Sequence, residues 1–324
     1  MGLGDTRVAF LNLRDFGAVG DGKADDTVAI TDAIQAGRER RLPVYFTRGE
    51  YRVTKPLVIE AQSLIGSEAA GWNADVCPMP RVMVDHAGGS AVTMQDGASI
   101  HGLAFAYDRR CDTRYPETVL LAGIGLALSN VCIQYPDDAI IADGKNNIGR
   151  LNIENIFIVA PRGTGVYVTR THDIATLRSI EVWNNAKEMF PGPAFKFGHN
   201  AGLRAIHLFA YNVEVGFEVV EDGKEGTWAT FAECGTDFCN VGWSVKGNAR
   251  HDFGITGGYY RNHHESLRID SRRSNIRVSG AELKSNGAPA VVSQACHSLI
   301  MNACRFWRDC RLSPADLLCR RRLD

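Results

Sequence analysis

A short alternation of apolar and variable positions returns nine times between residues 102 and 306. Its second and fourth positions are mostly apolar and its third varies, which is the period-two pattern of a strand with one buried face. The steps between copies are 28, 25, 24, 26, 25, 27, 23 and 23 residues, a spacing typical of stacked repeat architectures. The aligned copies begin at Gly102, Asn130, Asn155, Ser179, Ala205, Thr230, Gly257, Gly280 and Ala303.

A second apolar segment follows most of these copies across a turn, with no helix between the two. Two or three short strands per repeat predict an all-β, single-stranded right-handed parallel β-helix, in which each coil buries its apolar stripe against the next. The alternative is a two-sheet sandwich, which needs a hairpin turn between paired strands; Asp-Gly pairs do not occur at every second connection. The predicted second strands are Ala139–Ala142, Gly165–Val168, Ala194–Phe197, Gly216–Val219, Gly242–Val245, Ser266–Ile269 and Ala290–Ser293.

We expect one domain over residues 1–324, with an N-terminal cap and first strands in 1–65 and coils in 66–308. A short capping helix is predicted after Asp25 or Asp26, either of which can accept hydrogen bonds from its free amides, with Gly37 as its end. Such a helix covers the open end of a solenoid. Residues 309–324 are assigned to a C-terminal cap with a basic tail. The apolar face of the helix comprises Val28, Ile30, Ala33 and Ile34.

Composition excludes several classes of function. A chain of 324 residues with 45% hydrophobic content can bury a large core. The formal net charge of −1 predicts no nucleic-acid partner, and no apolar run is long enough to predict a membrane span. Residues 1–10 lack the pattern of a secretion signal, so the expected location is cytoplasmic, or extracellular if the sequence is a mature or trimmed form.

Nine cysteines are scattered along the chain without the paired spacing of a zinc site. We interpret them as free thiols that pack as small hydrophobic groups. A disulfide between Cys77 and Cys111 is the alternative.

The first 65 residues carry a resemblance to a known family. The segments are Arg14–Gly22, Asp25–Thr27, Val44–Phe46, Gly49–Tyr51 and Leu64–Gly66. Together they resemble the N-terminal signature of the pectate lyase superfamily, which rhamnogalacturonases, some epimerases, polygalacturonase relatives and phage tailspikes share. The resemblance implies a pectin lyase-like β-helix, a polysaccharide or oligosaccharide partner, and a homotrimer as one assembly. It selects no reaction, because the aspartates in it build the cap.

Candidate chemistry lies on the outward column of the second strands. Equivalent residues of adjacent coils are about 4.8 Å apart, so outward positions form straight columns suited to a polymer. Asp137, Asp138 and Thr164 stand at the N-terminal edge of this column. Its members are Ile141, Tyr167, Lys196, Glu218, Ser244, Arg268 and Val292.

The pair Asp137-Asp138 resembles the paired aspartates of family-28 glycoside hydrolases, which activate water and protonate the leaving oxygen. The resemblance implies Asp137 and Asp138 as acid and base, although the family's histidine and second base are absent from Gly163-Thr164-Gly165 and Lys196-Phe197-Gly198. We expect glycoside hydrolysis of an acidic or neutral sugar. Lys196 would hold an acidic or hydroxyl group, and Tyr167, Glu218, Thr164 and Trp183 would contact the substrate. The alternative is that both aspartates form a turn after Pro136.

Two other functions stay open. A polysaccharide lyase would use Lys196 as base, with Asp138 and Glu218 holding a calcium ion; otherwise no metal or cofactor is expected. A tailspike-like module would bind glycan without catalysis. A second face, formed by Phe157, Glu181 and His207 and by Val159, Trp183 and Phe209, would stack a sugar or, as we prefer, contact another subunit.

Overall fold

The computed structural model describes residues 10–67, 79–108, 112–223, 225–286 and 288–308. These residues form about eleven turns of a right-handed parallel β-helix, so the predicted fold class is confirmed. All the strand pairs are parallel. The predicted C-terminal cap and the proposed Cys77–Cys111 bridge lie outside the described residues.

The described helices are a 3-10 helix, Leu13–Phe16, and the α-helix α1, Thr27–Arg40. The first strands are β1 Leu11–Asn12, β2 Asp21–Asp25, β3 Val44–Tyr45, β4 Glu50–Val53, β5 Leu57–Ile59, β6 Ser63–Ile65, β7 Arg81–Val84, β8 Val92–Met94, β9 Ser99–His101, β10 Ala104–Ala106, β11 Val119–Leu121, β12 Ala127–Gln134, β13 Ile140–Ala142 and β14 Asn152–Val159. The later strands are β15 Val166–Val168, β16 Ala175–Trp183, β17 Phe190–Phe197, β18 Asn200–Tyr211, β19 Val213–Val219, β20 Glu225–Ala232, β21 Gly235–Cys239, β22 Val241–Lys246, β23 Arg250–Thr256, β24 Tyr259–Asn262, β25 Leu267–Ser279, β26 Glu282–Ser285, β27 Val291–Asn302 and β28 Arg305–Arg308.

The strands stack into three columns, here called sheets A, B and C. Sheet A begins with β1, β3, β6 and β9, and sheet B begins with β2, β4, β7 and β10. Strands β12, β14, β16 and β18 run through sheet A, bend, and continue into sheet B. Sheet C contains β5, β8, β11, β13, β15, β17, β19 and β22, and then the first halves of β25 and β27.

The bend between sheets A and B is a single residue in the left-handed region. Asn130, Asn155, Ser179, His207 and Glu233 have φ of 52, 53, 53, 54 and 49° in five consecutive coils. Residues other than glycine are sterically strained in this region, and asparagine tolerates it best. The Asn155 amide donates to Asn130 Oδ1 at 2.6 Å and so links two coils.

This bend corrects the alignment of two repeats. The fifth and sixth copies begin at His207 and Glu233, and not at Ala205 and Thr230, because the apolar alternation continues without a break through the long strands that precede the bend. The predicted column of Phe157, Glu181 and His207 was therefore wrong. The observed column on sheet B is Phe157, Glu181, Phe209, Gly235, Tyr259 and Glu282.

Helix α1 covers the first coil, as predicted, with Ile30, Ala33, Ile34 and Gly37 buried. Two details differ. Val28 is 67% exposed and points away from the core. Gly37 does not end the helix, which continues to Arg40; Gly37 instead packs where an added Cβ would meet Gln62 Nε2 at 2.1 Å.

The two aspartates before the helix divide their tasks. Asp25 accepts hydrogen bonds from the amide of Thr27 at 3.0 Å and from the Thr54 hydroxyl at 2.7 Å. Asp26, which is buried, accepts from the amides of Val19 and Gly20 instead. Asp25 therefore stabilises the helix start, and Asp26 holds the preceding loop.

Replacing Asp25 by alanine is expected to cost about 1 kcal/mol of unfolding free energy at neutral pH, as for other lost helix caps. The hydroxyls of Thr27 and Thr54 lower the pKa of Asp25 from 3.8 to about 2. The folded state thus favours the ionised form, so this stabilisation is present above pH 3.8 and is lost as the pH falls toward 2. Chemical denaturation of Asp25→Ala and of the exposed control Asp32→Ala at several pH values tests this. A deficit that persists unchanged at pH 2 would contradict it.

No helix within the described ranges is long and apolar enough to cross a membrane.

Candidate functional site

Turn lengths distinguish the outer face of sheet C in the earlier coils. The bend between sheets A and B is one residue long, whereas the earlier coils enter and leave sheet C through longer segments; β18–β19 and β21–β22 are each joined by a single residue. Residues 112–118 and 184–189 lie on the entry side, and residues 143–151 and 169–174 lie on the exit side. Loops that project beside a flat sheet form the walls of a cleft. We call this surface the sheet C face.

The predicted outward column is present on this face in the expected register. Tyr167 pairs with Lys196, and Lys196 pairs with Glu218, on three successive coils. All three side chains are partly exposed. Ile141 precedes them, and Ser244 and Arg268 follow. Stacking therefore brings together groups that are 22 to 29 residues apart in the chain, as the sequence predicted.

Lys196 is the most available charge in this row. Its Nζ lies 5.1 Å from the centroid of the Tyr167 ring, a cation–π contact. The neighbouring Glu218 accepts a hydrogen bond from Lys246 at 2.8 Å instead of from Lys196. Among the residues that the structure describes, no carboxylate forms an ion pair with Lys196. The ammonium group is thus held by an aromatic face and keeps its capacity to pair with an anion.

Asp137 is an ion-paired, buried carboxylate and lies at the entry side of this face. Its side chain is 8% exposed, and Oδ1 contacts Arg114 at 2.6 Å and Arg162 at 3.1 Å. Its other oxygen accepts from the amide of Tyr115 at 2.6 Å. Both oxygens are occupied, so the observed contacts tie the segment 112–117 to the coil. The acid or base role expected for Asp137 finds no free oxygen here.

Asp138 and Thr164 lie at equivalent positions of adjacent coils, but they contact each other. The Asp138 carboxylate accepts a hydrogen bond from the amide of Thr164. An added Cβ on Gly163 would meet Asp138 Oδ1 at 2.4 Å, so glycine leaves room for this carboxylate. The arrangement is that of a turn aspartate, the alternative that the sequence left open. Asp138 is partly exposed and Asp137 is not.

Trp183 lies elsewhere, which corrects its grouping with the other substrate-contact candidates. It belongs to the part of β16 in sheet B, where it pairs with Tyr211 and stacks on it with ring centroids 4.2 Å apart and an interplanar angle of 11°. Phe238 extends this row, at 5.7 Å from Tyr211. Sheets B and C face different directions, so Trp183 cannot contact a ligand that is held by Tyr167 and Lys196.

A polar cluster at the exit side of the sheet C face was missed from the sequence. Asp222 accepts from Arg170 Nη2 at 2.9 Å and from the Thr169 hydroxyl, and the amide of His199 donates to that same hydroxyl at 3.0 Å. These residues follow three successive strands of sheet C. The available signal was their common position one to three residues after each strand, where stacking makes neighbours of them.

The protonation states of two groups follow from this packing. Burial, and then the Asp222 carboxylate, raise the pKa of Tyr167, so its phenol stays protonated at neutral pH. Burial, the nearby His172 and Arg170 lower the pKa of His199, so its imidazole is neutral at pH 7. Tyr167 can thus donate a proton or hydrogen bond, and His199 has a neutral ring that can accept one.

The donors expected for calcium are engaged in other contacts. Asp138 bonds to the Thr164 amide, and Glu218 bonds to Lys246. Within the described ranges no group of three or more His, Cys, Asp and Glu side chains is arranged to hold a metal ion.

Five cysteines within the described ranges are free thiols. Burial raises the pKa of Cys234 and of Cys239 to about 12, so neither is an ionised nucleophile at neutral pH.

The N-terminal part of the chain matches a known family. A family model described as rhamnogalacturonase A/epimerase, pectate lyase-like, matches residues 10–72. This range contains the segments whose resemblance the sequence had suggested. No curated protein matches the sequence.

Solved structures share the fold at low sequence identity. The A-module of mannuronan C-5 epimerase AlgE4 from Azotobacter vinelandii has a TM-score of 0.62 at 13% identity, covering 92% of this chain and 97% of that one. The catalytic unit of a GH87 alpha-1,3-glucanase from Streptomyces thermodiastaticus has a TM-score of 0.53 at 12% identity, covering 95% and 72%. The phiAB6 tailspike, solved with oligosaccharides of Acinetobacter baumannii surface polysaccharide, has a TM-score of 0.55 at 13% identity, covering 89% of this chain. This chain spans 48% of that tailspike's length.

Proposed function

We propose that this chain, a right-handed parallel β-helix whose residues 10–72 match the rhamnogalacturonase A/epimerase, pectate lyase-like family model, is a carbohydrate-active protein that binds a polysaccharide or oligosaccharide along the sheet C face. The row of Tyr167, Lys196 and Glu218 on three successive coils carries this proposal. It provides a ring, a cation and a carboxylate at about 4.8 Å intervals, which suits a polymer laid along the rod. Relatives of the same fold include a mannuronan epimerase, an alpha-1,3-glucanase and a tailspike that binds oligosaccharides.

The charge on this face favours an acidic sugar. Lys196 has no ion-pair partner among the described residues and lies at the centre of the row. A uronate carboxylate placed over Tyr167 would pair with the Lys196 ammonium group, and charge-assisted hydrogen bonds of this kind are the strong ones.

The contacts of the carboxylates bear on the reaction. Hydrolysis with inversion needs two carboxyl groups on opposite sides of the scissile bond, with room for a water molecule. Asp137, Asp138, Glu218 and Asp222 each already bind an arginine, a lysine or a backbone amide. Glycan binding is therefore better supported than hydrolysis by Asp137 and Asp138, which stays a prediction.

Proton abstraction from a uronate is the second candidate, and the pairing of Lys196 with a protonated Tyr167 favours it. In β-elimination a base removes the proton from C5, the C–H electron pair forms the C4–C5 double bond, and the C4–O bond breaks as an acid protonates the leaving oxygen. Lys196 would neutralise the carboxylate, Tyr167 would protonate the leaving oxygen, and the neutral His199 is the candidate base.

The stacked rings of Trp183 and Tyr211 are proposed for contact with another subunit, as in a homotrimer.

Titration calorimetry with a panel of acidic and neutral oligosaccharides tests the proposal. We expect Lys196→Met to weaken binding of an acidic oligosaccharide about tenfold to a hundredfold, since a lost charge-assisted bond costs about 1.5–3 kcal/mol. The control Lys23→Met removes an exposed lysine near the N-terminus and should bind like the wild type. Equal binding by wild type and Lys196→Met would overturn the site.

Incubation with the same panel distinguishes the reactions. New reducing ends without ultraviolet absorbance indicate hydrolysis, and unsaturated products that absorb indicate elimination. Under the second candidate, Tyr167→Phe is expected to lower kcat with little change in KM, because only the protonation of the leaving oxygen is lost. A glycan that binds and yields neither product identifies a binding module.

A further inference from the structure

A second groove runs along the bend between sheets A and B, away from the sheet C face. One depression of about 290 Å³ lies beside Glu181, and another of about 640 Å³ lies beside Glu233 and Tyr259. His207 and Phe209 line both depressions, so they form one trough, here called the corner groove. It extends over six coils, from the bend at Asn155 to the bend at Gly280.

Missing side chains create the larger depression, which lies beside Glu233 and Tyr259. Gly235 lies between Phe209 and Tyr259 in one outward column of sheet B, so two aromatic residues two coils apart flank a position without a side chain. The distance between such positions is about 10 Å, twice the spacing of parallel strands. At the next two bends the residues are Gly257 and Gly280, in place of the larger residues of the preceding bends. Tyr259 is 42% exposed.

The charge of the corner groove is negative. Glu181, Glu233 and Glu282 line it, and among the described residues no lysine or arginine lines either depression. Glu282 contacts Arg305 at 3.5 Å. The side-chain carboxylates of Glu181 and Glu233 have no hydrogen-bond or ion-pair partner among the residues that the structure describes. Burial raises the pKa of Glu181, in keeping with a partly buried carboxyl group that lacks a counter-charge.

These carboxylates recur at a regular interval. Glu181, Glu233 and Glu282 belong to every second coil, so successive charges are separated by about 10 Å along the rod, with aromatic rings between them. A flexible linear amine would pair with the carboxylates but would leave the aromatic rings exposed to water. A chain of sugar rings would use both, because pyranose faces pack on aromatic rings and ammonium groups pair with carboxylates.

We propose that the corner groove is a second carbohydrate site, which takes an oligosaccharide of amino sugars in the ammonium form. Glu181 and Glu233 bind the ammonium groups and accept hydrogen bonds from hydroxyls, and Phe209 and Tyr259 pack against the sugar rings. This site is separate from the sheet C face, whose free charge is positive. The protein thereby contacts saccharides of opposite charge on two sides of one rod.

Titration calorimetry with a β-1,4-linked glucosamine tetramer and its N-acetylated counterpart tests the proposal on the full chain. We expect the glucosamine tetramer to bind at least tenfold more tightly than the acetylated one, which carries no charge. The double variant Glu181→Gln and Glu233→Gln should lose at least tenfold in affinity, and so should Tyr259→Ala. The charge-matched control Glu39→Gln, on the exposed side of helix α1, should bind like the wild type.

Other outcomes overturn the assignment. If spermine or tetralysine binds as tightly as the tetramer and displaces it, the groove is a general cation site. The same conclusion follows if the Tyr259→Ala variant binds the tetramer with unchanged affinity. Absence of tetramer binding, or binding that survives the double substitution, would remove the site altogether. Lys196→Met should leave tetramer binding intact. A failure of the proposed glycan site on the sheet C face can therefore be distinguished from a failure of the proposed site in the corner groove. Circular dichroism verifies that each variant is folded, and Tyr259→Ala provides the test if the double variant is not.

Discussion

Replacing Trp243 by alanine is expected to lower the free energy of unfolding by about 3–5 kcal/mol, the usual cost of removing a large buried aromatic side chain. Trp243 is 1% exposed and stacks on Phe217 with ring centroids 4.3 Å apart. Phe231 meets its edge at 4.8 Å, and Phe253 lies at 5.9 Å. The loss combines transfer of the indole to water with a cavity that rigid neighbouring coils cannot close.

Trp228 provides the matched control because it is the same residue type in strand β20, but 64% exposed. Trp228→Ala should change stability by less than about 0.5 kcal/mol, as for most surface substitutions. Denaturant unfolding followed by circular dichroism measures both variants. Equal effects for Trp243 and Trp228 would mean that the aromatic stack does not form the centre of the core.

Replacing Asp137 by alanine is expected to destabilise the protein by about 2–4 kcal/mol, because a buried carboxylate with several charged and backbone partners is lost. Arg114, Arg162 and the Tyr115 amide lose their common acceptor. Amide hydrogen exchange in residues 112–117 should rise more than exchange elsewhere, since Asp137 connects that segment to the coil. The control Asp173→Ala breaks an exposed pair with Arg150 and should cost about 0–1 kcal/mol.

The substitution Asp137→Asn distinguishes a structural role of Asp137 from a catalytic one. A catalytic acid or base could be replaced by asparagine with loss of turnover and little loss of stability. The observed contacts instead predict that Asp137→Asn weakens the ion pairs, lowers the melting temperature and leaves acidic-glycan binding on the sheet C face largely unchanged. If Asp137→Asn is as stable as the wild type but has no turnover, Asp137 is a catalytic residue.

The proposed functions depend on which groups remain without partners after the coils stack. Most carboxylates of the sheet C face are paired, while Lys196 has an aromatic neighbour and, among the described residues, no anionic partner. In the corner groove the reverse holds: Glu181 and Glu233 are the carboxylates without a partner among the described residues, and glycines replace larger side chains beside Glu233. A linear polymer can contact equivalent positions on successive coils, so such unpaired groups accumulate into extended sites.

The register of sheet C was predictable because its apolar alternation is regular. Val166, Phe195, Phe217 and Trp243 are all buried at equivalent positions, so a slip of one residue would bury Tyr167, Lys196 and Glu218 instead. The bend before sheet B was harder to predict. His207 and Glu233 adopt left-handed φ values, although histidine and glutamate do not indicate such a bend in a sequence. The apolar alternation also continues through β18 without a break. The predicted alignment of the repeats therefore slipped in two coils.

From the sequence by itself come the repeat, the side of each strand that faces inward, and hence the β-helix with its row of Tyr167, Lys196 and Glu218. These properties depend on local alternation and on a spacing of one coil, both of which can be counted along the chain. Only the tertiary structure decided that Asp137 is ion-paired, that Asp222 meets Arg170 across 52 residues, and that Trp183 stacks on Tyr211. The partners of a polar side chain come from neighbouring coils and inserted loops, and the distances between those depend on how the whole solenoid packs.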